Sequence, residues 1–125
     1  MKNSAPILFH TTNWDEIPAT EHPGETGRAR WRTMRYGSLR IRVVEYSENY
    51  QANHWCSLGH IVFCLEGEMK TELADGRSFS LCAGRSYQVT DGVSAHRTSS
   101  VKGGRALIVD GDFLKLKKEQ NPWRM

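Results

Sequence analysis

The segment Asn53-His54-Trp55-Cys56-Ser57-Leu58-Gly59-His60-Ile61-Val62-Phe63-Cys64-Leu65-Glu66-Gly67 decides how this chain is interpreted. On an extended backbone, alternate residues share a face, so His54, Cys56 and His60 are expected to point to one side. Imidazole and thiolate groups are ligands of transition metals, which makes this face a candidate metal site. His96, distant in sequence, is the candidate partner. The alternative is that these histidines are hydrogen-bonded or exposed side chains that bind no metal.

Length and composition restrict the class of protein. The 125 residues fit one domain, with a core predicted over roughly residues 30–110. The net charge of +3 comes without a dense basic block, so nothing indicates a nucleic-acid partner. The longest apolar run, Ile61 to Leu65, is too short to span a membrane. Three cysteines and no visible secretory signal favour a cytoplasmic protein with free or metal-bound thiols.

Short apolar and β-branched segments recur along the chain with glycine-containing turns between them, which predicts an all-β sandwich or barrel. The predicted strands cover residues 31–36, 39–46, 61–65, 68–73, 78–82, 86–89, 96–100 and 105–109. Gly37-Ser38 and Glu66-Gly67 are predicted to be hairpin turns. An irregular arm precedes a turn capped at Thr12 or Asn13, residues 21–27 are predicted to be a loop, and a short helix or tail is predicted from Asp112 to Gln120.

Two arginines and a tyrosine are candidate substrate-binding residues. If Tyr36 pairs with Leu39 across the first hairpin, Arg40 and Arg42 lie on one face of the sheet. Guanidinium groups bind carboxylates in bidentate fashion, which would suit a substrate anion at a barrel mouth. Solvated or paired strand arginines are the alternative. Tyr87 is predicted either to line the cavity or to pack in the core.

The spacing of the ligand candidates resembles the two sequence motifs of the cupin superfamily. Counting seven residues back from Gly67 reaches His60, where cupins usually carry a glutamate ligand. The two histidine positions of the first motif then fall on His54 and Cys56, and His96 matches the histidine of the second motif. This resemblance covers roughly residues 53–97, and the strand spacing extends it over most of the remaining chain.

The resemblance implies a cupin double-stranded β-helix, a jelly-roll barrel, with one divalent transition metal ion (Zn, Fe, Ni, Mn or Cu). The implied ligands are His54, His60 and His96, with Cys56 as a candidate fourth. Three histidines resemble the ligand set of dioxygenase-type cupins and leave an open position for chemistry. A fourth, thiolate ligand would favour zinc and close the site, which would make the ion structural.

Among cupins, the chain resembles the uncharacterised DHCW-motif family, whose members carry a similar His-Trp-Cys-x-x-Gly-His segment and a loop similar to residues 21–27. That family has no agreed activity, so the resemblance implies a fold and a site but no reaction. Our first hypothesis is a metal-dependent enzyme, dioxygenase- or isomerase-like, acting on a small polar metabolite. The second is a non-catalytic small-molecule binder or sensor with a structural metal.

The remaining apolar features predict packing and assembly. Cys64 and Cys82 are predicted to be small buried thiols. Ile61, Phe63 and Leu65 form a second apolar face on the strand that follows His60, and Ile7, Leu8 and Phe9 add an apolar arm. A homodimer is the predicted way to cover this surface. The alternative is that the arm folds back over the face within one chain.

Overall fold

The computed structural model of the protein describes residues 6–115, which form nine strands and two short 3-10 helices. The strands are β1 (Ala19–Pro23), β2 (Arg28–Tyr36), β3 (Leu39–Tyr46), β4 (Tyr50–Gln51), β5 (His60–Leu73), β6 (Ser78–Cys82), β7 (Ser86–Val89), β8 (His96–Ser100) and β9 (Gly104–Asp110). The 3-10 helices are Trp14–Glu16 and Asp112–Leu114. Every pairing between these strands is antiparallel.

The fourteen-residue strand β5 joins two sheets. Its first half pairs with β7 and β9 in the sheet that continues through β3, β2 and β1. Its second half pairs with β6 and β8 in the other sheet, which ends at β4. The inward faces enclose one core, formed by Ala29, Val44, Val62, Cys64, Met69, Leu81, Ala106 and Ile108. The prediction of an all-β barrel is therefore confirmed.

The prediction of a hairpin turn at Glu66-Gly67 is wrong, because strand β5 continues through these residues without reversing direction. The pairing with β9 shifts register between Cys64 and Glu66, which is the mark of a β-bulge. Gly67 has a φ of 69°, and a Cβ there would collide with the carbonyl oxygen of Gly103. Glycine is thus needed at this position to bend one strand between two sheets, not to reverse the chain.

Most other strand predictions are confirmed. Strands β3, β6, β7 and β8 have the predicted bounds, and Tyr36 pairs with Leu39 as expected. The predicted loop at residues 21–27 instead begins within strand β1, which pairs with β2 at the sheet edge. At the C-terminus only the 3-10 helix Asp112–Leu114 is seen, and the rest of the predicted helix or tail lies outside the described residues.

Side-chain alternation decides the outcome for the cysteines. Cys64 is fully buried, as predicted, because it shares the inward face of β5 with Val62. The prediction that Cys82 is buried is wrong, because alternation on the edge strand β6 turns Leu81 into the core and Cys82 toward solvent.

Within residues 6–115, no helix has the length and apolar character that a membrane span requires.

Candidate metal centre

Three metal-ligating side chains meet at one end of the barrel: Cys56, His60 and His96. One ligand atom from each lies within 4.8 Å of the others. His60 is the first residue of β5, and His96 is the first residue of β8. Cys56 lies in the preceding loop and is fixed to His96 by two backbone hydrogen bonds of 2.8 and 2.9 Å. The loop and the two strand starts therefore present their side chains to one point.

Each histidine of this group is oriented through its other ring nitrogen. His60 Nδ1 donates to Asp110 Oδ2 at 3.0 Å, and His96 Nδ1 donates to the carbonyl oxygen of Ser94 at 2.9 Å. In the neutral rings, the Nε2 atoms are thereby left available to bind a metal ion. His96 Nε2 is buried and has no hydrogen-bond partner among residues 6–115. Metal-binding histidines typically carry such an outer partner, so this donor set fits a transition metal.

The electrostatics of the group favour a thiolate. Cys56 Sγ lies 3.6 Å from His60 Nε2, and the His60 ring, followed by His96, lowers the pKa of the thiol to about 5. Burial lowers the pKa of His60, but its contacts with Asp110 and Cys56 outweigh burial and raise the pKa overall. Thiolate is the form of cysteine that binds metals and attacks electrophiles. Cys56 is thus prepared for either role.

Asp110 is a residue of the candidate site that the sequence analysis does not predict. Its carboxylate accepts from Arg40 Nε and Nη2 at 2.9 Å each, from Arg42 Nη2 at 3.0 Å and from His60. Burial raises the pKa of Asp110, but these donors outweigh it and hold the pKa far below the usual range. One signal in the sequence was available: Asp110 continues the inward alternation of Ala106 and Ile108, where a carboxylate needs a partner.

His54, the remaining predicted ligand, lies outside the three-residue group. Its ring is exposed, and its Nδ1 contacts Asn53 Oδ1 at 2.7 Å. His54 lines the same cavity as the three-residue group, together with the predicted substrate-binding residues Arg40, Arg42 and Tyr87. The cavity has a volume of about 250 Å³, which suits a small molecule. The predicted site residues therefore line one cavity, and the ligand atoms of Cys56, His60 and His96 converge within it.

No protein-family model matches the sequence, and the comparison with curated proteins finds no match. Solved structures do match. A cupin-2 domain containing protein from Shewanella frigidimarina is 14% identical with a TM-score of 0.54, and the match covers 65% of this chain and 78% of that one. The chain has a cupin fold. This confirms the predicted jelly-roll barrel.

Two enzymes share the cupin fold with this chain. Ectoine synthase from P. lautus is 17% identical with a TM-score of 0.63, over 87% of this chain and 80% of that one. Fe(II)-HppE with the alternative substrate (S)-1-HPP is 18% identical with a TM-score of 0.67, over 82% of this chain and 60% of that one. At these identities the similarity establishes the fold and leaves the activity open.

Proposed function

We propose that this cupin binds one divalent transition metal ion through Cys56, His60 and His96 and acts with it on a small polar metabolite. The convergence of these three donors, with both histidines oriented by outer partners, is the observation that supports it. Three protein ligands are typical of catalytic sites, because the ion keeps a position for substrate. His54 on the cavity wall is then a candidate contact for the substrate and not a ligand.

The bound ion would supply Lewis-acid or oxygen-binding chemistry of the dioxygenase or isomerase kind. The protein's own part is to hold the thiolate and two neutral Nε2 atoms and to exclude water through the cavity walls. Iron in Fe(II)-HppE and the enzymatic role of ectoine synthase support a metal-dependent enzyme. Among Zn, Fe, Ni, Mn and Cu, a thiolate ligand favours Zn, Fe and Cu over Mn.

We also propose that the protein is a member of the DHCW-motif family, and the His-Trp-Cys-x-x-Gly-His segment supports this proposal.

Metal analysis of protein purified without an affinity tag tests this proposal. We expect about one equivalent of a single transition metal per chain, because three converging donors define one site. Protein that carries no metal, and takes none up from Zn²⁺ or Fe²⁺ solutions after chelation and dialysis, would overturn it. A full metal complement with a small-molecule ligand that binds but is not converted in a metabolite screen would favour the binder or sensor role instead.

A second candidate function is nucleophilic catalysis by Cys56 without a metal. Cys56 Sγ, His60 Nε2 and Asp110 Oδ2 form a chain of contacts, with 3.6 Å between sulfur and nitrogen and 3.0 Å from His60 Nδ1 to the carboxylate. This order of nucleophile, base and orienting carboxylate is shared by cysteine hydrolases and related enzymes.

We propose that the protein is located in the cytoplasm. Its three free thiols are compatible with that reducing compartment.

Alkylation of Cys56 separates the two candidates. If Cys56 binds a metal ion, iodoacetamide should label it slowly in the protein as purified and rapidly after chelation, because the released thiolate is reactive. Rapid labelling in both states would favour the nucleophile. Slow labelling in both states would contradict both roles. Cys82 is exposed and serves as the internal control, since its labelling should not depend on metal.

We further propose that the protein is a homodimer. Ile61, Phe63 and Leu65 on the outward face of β5 are 37–40% exposed, and Phe9 in the N-terminal arm is 95% exposed. Among the described residues, both this face and the apolar side chains of the arm remain exposed, which disfavours the alternative of intramolecular covering. Light scattering at micromolar concentration should give twice the chain mass of 14.2 kDa. A monomer mass that stays constant with concentration would rule the dimer out, and Phe63→Ser should dissociate it.

A further inference from the structure

The cavity beside the metal centre has an excess of positive charge. Three arginines line it, namely Arg40, Arg42 and Arg97, and none of its described lining residues is Asp or Glu. Arg97 is balanced by Glu72, which accepts from its Nε at 2.9 Å. Arg40 and Arg42 share the single carboxylate of Asp110, so two positive charges face one negative charge. Among the described residues, the two guanidinium groups therefore have a single carboxylate partner between them, and a second cation with no carboxylate partner is costly in a partly desolvated site.

Arg42 is the best-placed donor for an additional anion. Its side chain is buried, and its guanidinium lies 4.4 Å from the centroid of the Trp31 ring, which itself stacks on His22. Arg42 Nη2 donates to Asp110, whereas Arg42 Nε is buried and has no hydrogen-bond partner within residues 6–115. A buried donor without a partner calls for a bound group, and a guanidinium held by stacking is already ordered to receive one.

We propose that Arg42, with Arg40 beside it, binds a carboxylate group of the substrate, which makes the substrate a small organic acid. This inference builds on the proposed function, because it identifies the substrate class of the same cavity. Asp110 contacts both Arg42 and His60, so a single carboxylate links the anion subsite to the metal centre. A small acid held at Arg42 would thus lie in the same cavity as Cys56, His60 and His96.

Calorimetry with two ligands of equal shape tests the subsite. Propionate and propionamide are titrated into the protein as purified and again after chelation. Because a hydrogen bond to a charged group is stronger than one to a neutral group, we expect propionate to bind about tenfold or more tightly than propionamide in both states. Arg42→Lys, which keeps the charge but loses the planar fork, should remove most of this preference. Arg77→Lys, in an exposed pair with Asp75, is the matched control and should bind as wild type.

The outcomes separate this inference from the proposed function. Propionate binding that persists after chelation and weakens in Arg42→Lys supports the subsite, even in a protein found to carry no metal. Propionate binding that disappears with the metal would mean that the carboxylate binds the ion, and it would overturn the subsite alone. Equal binding of the two ligands, or no binding of either, would also overturn it. The wild-type comparison after chelation decides the question if Arg42→Lys does not fold.

Discussion

A His60→Ala or His96→Ala variant is expected to purify with almost no bound metal. Each change removes one of three converging ligands, and the remaining pair cannot hold an ion at the same site with comparable strength. The loss in affinity should exceed the roughly 10- to 100-fold that removal of an outer hydrogen-bond partner typically costs. Cys56→Ala should behave in the same way. Elemental analysis after dialysis, with affinity from competition against a chelator, measures the effect.

His54→Ala is the matched control for these variants. It removes an imidazole from the same cavity, but from a side chain that is exposed and outside the three-residue group. We expect this variant to keep close to one equivalent of metal. Metal loss in His54→Ala equal to that in His60→Ala would instead support the three-histidine ligand set that the cupin resemblance implies. Full metal in all four variants would exclude a site in this cavity.

Local sequence patterns were sufficient to predict most strands. Turn residues such as Gly37-Ser38 and alternating apolar positions act over a few residues, and β3, β6, β7 and β8 were predicted from them with the observed bounds. The sequence predicts a hairpin turn at Glu66-Gly67, where the structure has a register shift between Cys64 and Glu66 followed by Gly67, because glycine with positive φ occurs in turns and in bulged strands alike. Only the pairing of β5 with four other strands distinguishes them, and that pairing is not local.

The site was less predictable because it depends on long-range pairing. Asp110 meets Arg40 through the register of β3 and β9, across 70 residues of sequence. The three-residue group of Cys56, His60 and His96 depends on the path of the loop before β5. His54 and Cys56 were assigned to one face on the assumption of an extended strand, whereas only an isolated bridge between Cys56 and His96 is present there. The shared face of alternate residues therefore does not extend back to His54.

Asp110→Asn is expected to be among the most destabilising substitutions of polar residues in this protein. The amide keeps the shape of the carboxylate but removes the negative charge that Arg40 and Arg42 share, and Arg42 is only 4% exposed. Leaving a buried cation unpaired costs about 3–5 kcal/mol in unfolding free energy. Urea denaturation of the chelated protein measures this loss of unfolding free energy without the additional stability that a bound metal confers.

Glu66→Gln is the matched control for Asp110→Asn, because it makes the same chemical change in a pair that faces solvent. Glu66 accepts from Arg105 at 2.7 Å, but its side chain is 63% exposed, so the loss should stay below about 1 kcal/mol. Equal, small losses of unfolding free energy in the two variants would show that Arg40 and Arg42 become hydrated when Asp110 is neutral.

The same Asp110→Asn protein should bind metal roughly 10- to 100-fold more weakly, because the amide holds His60 less firmly than the carboxylate does. A stability loss without this weakening would separate the role of Asp110 toward the arginines from its role toward His60.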